Sequence, residues 1–254
     1  MIRVAVSGSA GRMGTAVVAA VTSSPDMELV CGIDSHLHEA AFPVYDDISQ
    51  ALSTEKVDVL VDFTRPDVVA GNISVALPLG VNCVIGTTGL SNEKLKELSL
   101  LAKDNACLFY APNFTTGAVL MMEFARIAAP YFPEAEVIEF HHCNKVDAPS
   151  GTAVRTAQII SDARDFSSEA PGKETEIEGA QGARGALIEG VPVHAVRSMG
   201  YVASQEVIFG SMGQSLSIRH DSWDRDSYMP GVLLGIRSVG QRSGLIVGLE
   251  NFMN

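Results

Sequence analysis

The 254-residue sequence predicts an α/β protein with two domains: a doubly wound parallel sheet, and a second α+β domain with a mixed, largely antiparallel sheet. Three observations predict this fold. Short, nearly continuous apolar runs alternate with helical periodicity up to residue 110, as in strands that are buried on both faces. A glycine-rich turn joins the first strand to the first helix. From about residue 190 apolar and polar residues alternate, which favours antiparallel strands.

The elements of the first domain follow from these apolar runs. The predicted strands cover residues 2–6, 27–33, 57–63, 82–85 and 107–110. The predicted helices cover 12–22, behind the glycine-rich turn, and 92–104, behind Ser91 as a candidate N-cap. Regular alternation of strand and helix predicts that the strands are parallel.

The pattern changes after residue 112, where the second domain is predicted to begin. Residues 115–129 are apolar on most faces, which predicts a buried helix. The remaining elements are a strand at 136–142, a helix at 152–164, a glycine-rich loop at 179–190, alternating strands within 191–198, 205–211 and 215–222, and a helix at 230–242. The predicted domains are residues 1–112 with 226–254, and residues 113–225.

Composition excludes some classes of function. The net charge is -12, and no Lys/Arg-rich run provides the basic surface that nucleic acid requires. No apolar stretch is long enough for a membrane helix. The four cysteines stand singly, and the N-terminus resembles a strand rather than an export signal. We therefore expect a cytoplasmic protein that binds neither nucleic acid nor membrane.

The N-terminal turn predicts a dinucleotide site. Gly8, Gly11 and Gly14 have GxxGxxG spacing after a strand and before a helix, where glycines let the backbone approach a pyrophosphate at the helix N-terminus. Asp34 ends the second strand, where a carboxylate accepts hydrogen bonds from a ribose; without the glycines it would be read as an ordinary turn residue. Because no Arg directly follows Asp34, NADH is expected to serve at least as well as NADPH. Arg12 leaves use of both open.

Two further segments end predicted parallel strands. Residues 86–89, Gly-Thr-Thr-Gly, place small hydroxyl side chains where a ligand crevice is expected. Taken alone, they also fit a turn with a helix cap. Residues 111–114, Ala-Pro-Asn-Phe, mark the crossover out of the first domain.

Residues 139–153, EFHHCNKVDAPSGTA, concentrate the groups suited to chemistry. Gly151 and Thr152 open a helix whose free amides suit a carboxylate, and Lys145 adds positive charge. On a strand, His141 and His142 would point to opposite faces and would have different roles. The segment therefore predicts a dianionic substrate and a proton transfer. Zinc is not expected, because His141, His142 and Cys143 are consecutive and cannot readily converge on one ion.

The chain resembles the 4-hydroxy-tetrahydrodipicolinate reductase (dihydrodipicolinate reductase) family. The matching segments occur in family order over nearly the whole chain. They are VSGSAGRMG, VDFTRP, GTTG, APNFTTG, EFHHCNKVDAPSGTA and QEVIFGSMGQSLSIRHDSWDRDSYMPGVLLGIR. The resemblance implies a Rossmann-like first domain and a second domain that binds substrate and forms a homotetramer.

The resemblance also implies an activity. An NAD(P)H-dependent oxidoreductase would reduce 4-hydroxy-tetrahydrodipicolinate, through dihydrodipicolinate, to tetrahydrodipicolinate in diaminopimelate and lysine biosynthesis. Loss of water would precede a conjugate hydride transfer to ring C4, and a ring carbon would then take a proton. An unperturbed imidazole titrates close to working pH and suits that proton transfer. No metal would take part.

Site residues carried over from the resemblance fall into two sets. The substrate set has His141 as proton donor, Lys145 in binding and proton donation, and His142, Gly151 and Thr152 in substrate binding. The nucleotide set is Gly8, Ser9, Ala10, Gly11, Arg12, Met13, Asp34, Gly86, Thr87, Thr88, Ala111, Pro112, Asn113 and Phe114.

One departure remains, together with two alternatives from other classes of protein and a third, a member of the same family with a different range of substrates. Some family members have VRLPG where this chain has VRSMG, so Ser198 and Met199 put packing or substrate closure of the second domain in question. The first alternative is another two-domain Rossmann oxidoreductase, but the Glu-Lys-Pro motif of sugar dehydrogenases is absent and Cys143 matches a semialdehyde dehydrogenase poorly. The second is a non-catalytic NADH-sensing protein, for which the His-His-Lys cluster would have no purpose.

Overall fold

The structure, a computed structural model, describes residues 1–36, 39–164 and 182–253, which form two compact units. Unit 1 comprises Met1–Thr116 and Arg225–Asn254, and unit 2 comprises Gly117–Asp224. The divisions predicted at 112/113 and 225/226 lie within a few residues of these limits.

Unit 1 contains a seven-stranded sheet in which every pairing is parallel. Its strands are β1 (Ile2–Ser7), β2 (Met27–Ile33), β3 (Val44–Tyr45), β4 (Val59–Asp62), β5 (Asn82–Ile85), β6 (Cys107–Tyr110) and β12 (Gly244–Val247). The order is β12-β6-β5-β4-β1-β2-β3, so the sheet extends in both directions from β1 and β4. The predicted doubly wound parallel sheet is confirmed. Its central strands are buried on both faces, which explains their uniformly apolar sequences.

The described part of unit 1 contains five α-helices, of which the sequence predicts only some. They are α1 (Arg12–Thr22), α2 (Ile48–Thr54), α3 (Pro66–Ala76), α4 (Asn92–Ser99) and α7 (Met229–Val239). The predictions lacked α2, α3, β3 and β12. The helix predicted to reach residue 104 ends at Ser99, and Asp104 and Asn105 have φ values of 53° and 63°, which a right-handed helix excludes.

Unit 2 contains a five-stranded sheet in the order β11-β10-β7-β9-β8. Its strands are β7 (Glu134–His141), β8 (Ala186–Ile188), β9 (Val191–Arg197), β10 (Ala203–Ser211) and β11 (Gln214–Ser222). Only β7 and β9 pair in parallel among these described strands, so the predicted mixed, largely antiparallel sheet is confirmed. Over the described residues, two α-helices complete the unit, α5 (Thr116–Ala128) and α6 (Gly151–Asp162).

Three expectations for unit 2 need correction. Strand β7 ends at His141, so His142 lies one residue beyond it and the two histidines are not opposite-facing strand residues. Strand β8 lies within the predicted loop 179–190, of which residues 179–181 are outside the described part. Helix α5 is not fully buried, because Leu120, Phe124 and Ile127 are exposed. Apolar composition alone did not reveal which face packs in the single chain.

Among the helices of the described ranges, none is both long and apolar enough to cross a bilayer.

Candidate active site

The residues predicted to bind a nucleotide lie at one edge of the parallel sheet in unit 1. Gly8 follows β1, Asp34 follows β2, residues 86–88 follow β5 and residues 111–114 follow β6. These are the carboxyl ends of the strands, where ligands bind in open parallel sheets.

The glycine-rich turn requires glycine for steric reasons. Gly8 has a φ of +78°, and a Cβ there would lie 2.9 Å from the carbonyl oxygen of Phe63. A Cβ on Gly14 would lie 1.9 Å from the carbonyl oxygen of Gly8. Helix α1 begins after Gly11 with no side-chain cap and no acidic residue in its first turn. Its first amides therefore lack intrahelical acceptors and fit an anionic pyrophosphate.

A cavity of about 500 Å³ opens beside this turn. Gly8, Gly11 and Asp34, three residues of the predicted nucleotide set, line it. Its lining also contains residues that the sequence did not assign to the site: Ser7, Ile33, Ser35, Asp46, Asp47, Ile48, Phe63, Thr64, Arg65, Val68 and Asn72. The rule that ligands lie beyond the carboxyl ends of strands would have found residues 63–65, because they directly follow β4.

Asp34 ties the glycine-rich turn to the end of β2. One carboxylate oxygen accepts a hydrogen bond from the Ala10 amide at 3.0 Å, and the other accepts one from the His36 amide at 3.1 Å. A carboxylate has about four acceptor positions, so this geometry leaves capacity for ribose hydroxyls. Residues 37 and 38, which follow closely in the chain, lie outside its described part.

Asp62, which was not predicted as a site residue, organises the ends of β4 and β5. It is fully buried at the end of β4 and accepts hydrogen bonds from three side chains, those of Thr64, Asn72 and Thr87, each at 2.7 Å. Gly86 packs under Phe63, since a Cβ there would lie 2.1 Å from the Phe63 ring. The Gly-Thr segment is thus held against the cavity wall through a buried carboxylate.

The other residues of the predicted nucleotide set differ in exposure. Ser9, Thr87, Ala111 and Phe114 are buried, Met13 and Asn113 are partly buried, and Ala10, Arg12, Thr88 and Pro112 are exposed. The ring of Phe114 lies 5.7 Å from that of Phe63, which joins the end of β6 to the end of β4.

In unit 2, the proton-transfer candidate His141 is the last residue of β7. Glu139, two residues earlier, shares its strand face and is fully buried. The Nδ1 of His141 lies in hydrogen-bond contact with Glu139 Oε2. Arg197 on β9 donates to both oxygens of the same carboxylate, at 2.8 and 3.0 Å.

The electrostatics of Glu139 favour its ionised form. Burial by itself would raise the pKa of this carboxyl, but the hydrogen bonds from His141 and Arg197 outweigh burial and hold the pKa below its ordinary value. A carboxylate only accepts hydrogen bonds, so Nδ1 of His141 is the donor in this contact.

The residues predicted to hold a substrate carboxylate lie at the start of helix α6. Ser150 is its N-cap, and the Ser150 hydroxyl accepts from the Ala153 amide at 3.2 Å. Gly151 and Thr152 occupy the first turn, whose amides have no acceptor within a helix. The Ser150 amide donates to Glu139 at 3.3 Å, which attaches the start of α6 to the pair formed by Glu139 and His141.

Lys145 belongs to the same hydrogen-bonded cluster. Its Nζ donates to Asp147 Oδ1 at 2.7 Å, and Arg197 donates to the Asp147 carbonyl at 2.7 Å. His141, Lys145 and the start of α6 are thereby connected through three other groups. His142 is exposed and lies just beyond the strand. Over the described residues, no group of three His, Cys, Asp or Glu side chains has the arrangement of a metal site.

Comparison with known families accounts for both units. The profile described as "Dihydrodipicolinate reductase, N-terminus" matches residues 2–114, and the one described as "Dihydrodipicolinate reductase, C-terminus" matches residues 117–253. The chain belongs to the dihydrodipicolinate reductase family. It is therefore an oxidoreductase, and the predicted family is confirmed.

Similar members of the family cover the full chain. The 4-hydroxy-tetrahydrodipicolinate reductases of Corynebacterium urealyticum and Mycobacterium marinum are 47% and 44% identical to it, each over 100% of this chain and 99% of theirs. A solved dihydrodipicolinate reductase from Paenisporosarcina sp. TG-14, described as dipicolinate-bound, has a TM-score of 0.91 and 42% identity over 99% of both chains. A probable dehydrogenase from Thermotoga maritima (TM-score 0.62, 14% identity, 99% of this chain and 92% of that one) shares only the fold.

Proposed function

We propose that this protein reduces 4-hydroxy-tetrahydrodipicolinate, through dihydrodipicolinate, to tetrahydrodipicolinate with NAD(P)H, in diaminopimelate and lysine biosynthesis. The observation that carries the proposal is the buried Glu139 cluster, which connects a histidine, a lysine and an open helix N-terminus. Such a cluster suits a substrate with two carboxylates that must accept a proton. Full-length identity to reductases of this name supports the same activity.

The cofactor would be held in unit 1. The amides at the start of α1 would receive the pyrophosphate, and Asp34 would accept hydrogen bonds from the ribose. When bound, a reduced nicotinamide supplies the hydride for the substrate ring. Arg12, which is exposed, and Arg65, which lines the cavity, are cations suited to a 2′-phosphate, so we propose that both NADH and NADPH serve. Because no Arg directly follows Asp34, NADH would serve at least as well as NADPH.

The roles in unit 2 follow from charge and geometry. The Gly151 and Thr152 amides would bind one substrate carboxylate, as helix N-termini bind anions. Lys145 would neutralise negative charge on the substrate; its partner Asp147 is exposed and can return to water when substrate replaces it. His141 would deliver the proton, and His142 would contact the substrate from its exposed position beyond β7. No metal is needed for these roles.

We further propose a cytoplasmic homotetramer assembled through the second unit. The support is an exposed apolar face of α5 formed by Leu120, Phe124 and Ile127, at the i, i+4, i+7 spacing of one helix face. Apolar faces of this kind are usually covered by another chain.

A spectrophotometric assay tests the proposed activity. 4-Hydroxy-tetrahydrodipicolinate, generated in situ from pyruvate and aspartate semialdehyde, is added to the protein with NADH or NADPH. We expect rapid, substrate-dependent oxidation of both, with kcat/KM for NADH at least equal to that for NADPH. Oxidation only with a sugar or semialdehyde would favour another Rossmann oxidoreductase, and NADH binding without turnover would favour a sensing protein.

A further inference from the structure

Glu139 contacts three elements of unit 2. Each of them contains either a residue that is proposed to act on or bind the substrate, or a residue that holds the Glu139 carboxylate in place. It lies on β7 beside His141, accepts from Arg197 on β9, and accepts from the Ser150 amide at the start of α6. Its two oxygens thus receive four donors, which accounts for the capacity of a carboxylate. A group that is fully buried and fully satisfied cannot itself contact substrate, so any part in the reaction is exerted through its neighbours.

The contact with His141 has a chemical consequence. Because Glu139 is ionised and only accepts, Nδ1 of His141 must carry a hydrogen, and Nε2 is the nitrogen left to exchange a proton. A neutral imidazole in the opposite tautomer would place a lone pair against the carboxylate. The arrangement therefore selects one tautomer and fixes the orientation of the ring.

Arg197 determines how the carboxylate can act. Its two-point contact fixes the orientation of the Glu139 carboxylate, as is typical of guanidinium–carboxylate pairs. Its positive charge also offsets the negative charge beside His141, and the carbonyl of Asp147 receives a further hydrogen bond from it. Among the described residues, Glu139 contacts His141 directly, Arg197 is opposite His141 in the register of β7 and β9, and the charge of Asp147 acts on His141.

We propose that Glu139 is a positioning residue: its carboxylate, held by Arg197, keeps the Nδ1 hydrogen on His141 so that Nε2 delivers the proton to the substrate. This proposal rests on the assignment of His141 as the proton donor. In the step, the Nε2–H bond of the imidazolium breaks as a C–H bond forms at the ring carbon. His141 becomes a neutral imidazole that retains Nδ1–H, Glu139 stays ionised throughout, and solvent later returns a proton to Nε2.

Nitrogen NMR tests the tautomer directly. In protein with ¹⁵N-labelled histidine at alkaline pH, where imidazoles are neutral, the His141 signals are identified by their absence from His141→Gln. We expect a protonated Nδ1 and an unprotonated Nε2 in the wild type. The opposite pattern would overturn the proposal, and this measurement requires no variant of Glu139 to fold.

Kinetics of Glu139→Gln test the consequence. The amide can donate as well as accept, so both tautomers should become populated. The kcat should fall at least tenfold, and by no more than the roughly 10²–10⁴-fold that a general acid contributes in full. KM should change less than threefold, because Lys145, Gly151 and Thr152 remain. Wild-type kcat in this variant, or a reduced kcat with an unaltered tautomer, would refute the proposal.

Glu136 provides a matched control. It is also on β7, and it also contacts a histidine and an arginine, with His194 Nε2 at 2.8 Å, but on the opposite strand face. Glu136→Gln should leave kcat and the His141 signals unchanged. If the wild type lacks reductase activity, or His141→Gln retains it, the proposed function has failed; if only Glu139→Gln behaves as wild type, the positioning role has failed.

Discussion

At the scale of single residues, Glu139 joins groups that lie far apart in the chain, because its carboxylate accepts hydrogen bonds from both His141 and Arg197. His141, Lys145, Gly151 and Thr152 are close together in the chain, so their clustering is evident from the sequence alone. Arg197 was not assigned, because it approaches Glu139 through the parallel register of β7 and β9, which pairs His141 with Arg197. Local periodicity contains no information about a pairing between distant strands.

Substitution of the two chemical residues is the first residue-scale prediction. His141→Gln and Lys145→Ala should each lower kcat by about 10²–10³-fold, as expected for loss of a proton donor or a charge that stabilises the transition state. Lys145→Ala should also raise KM, because a cation that binds the substrate carboxylate is lost. Steady-state NADH oxidation measures both effects.

Two residues with similar pairings serve as controls for those variants. Lys94 forms an ion pair with Glu97 at 2.8 Å in unit 1, and His194 contacts Glu136 in unit 2. Lys94→Ala and His194→Gln should retain wild-type kinetics. Unchanged turnover in both His141→Gln and Lys145→Ala would mean that the residues have been misassigned.

At the scale of elements, the segments with an apolar or periodic run and clear ends were predictable. The bounds of α1, β2, β5 and β6 agree with those predicted for this reason. Length did not decide the outcome, because the 11-residue helix α3 was missed. Strand β3 has only two residues, and the apolar run of β12 (GLIV) closely follows a helix, from which the sequence does not separate it as a strand. Strand β12 is recognised only from its parallel pairing with β6.

The turn between β1 and α1 carries the element-scale prediction. Gly14→Ala would place a Cβ 1.9 Å from the Gly8 carbonyl oxygen, and the backbone on both sides must move. We expect the dissociation constant for NADH, measured by calorimetry, to rise at least tenfold and the melting temperature to fall by several degrees.

Gly71 in α3 is the matched control, since a Cβ there meets nothing within 4 Å. Gly71→Ala should stabilise the helix by about 0.5–1 kcal/mol and leave NADH binding unchanged. Normal NADH affinity in Gly14→Ala would show that the turn does not hold the dinucleotide.

At the scale of the whole molecule, association into an oligomer is indicated in a single chain only by apolar surface that the chain itself leaves exposed. The sequence predicts that helix α5 is buried, but in the single chain its face formed by Leu120, Phe124 and Ile127 is exposed. The sequence indicates that this helix is apolar, but only the structure separates the face that packs inward from the exposed face.

The proposed tetramer gives the prediction at this scale. Analytical ultracentrifugation of the wild type should give the mass of four chains, and Phe124→Glu with Ile127→Glu should give smaller species. Leu100, an exposed leucine in unit 1, is the control, so Leu100→Glu should leave the mass unchanged. A wild-type monomer, or a tetramer that survives the double substitution, would exclude this surface as the interface.

The proposed reaction transfers hydride from a reduced nicotinamide to a dicarboxylate ring. The most direct measurement uses NADH with deuterium at its transferable C4 position and 4-hydroxy-tetrahydrodipicolinate as substrate. NMR and mass spectrometry should find one deuterium at ring C4 of the tetrahydrodipicolinate formed. A product without deuterium, or no consumption of the substrate at all, would contradict the account.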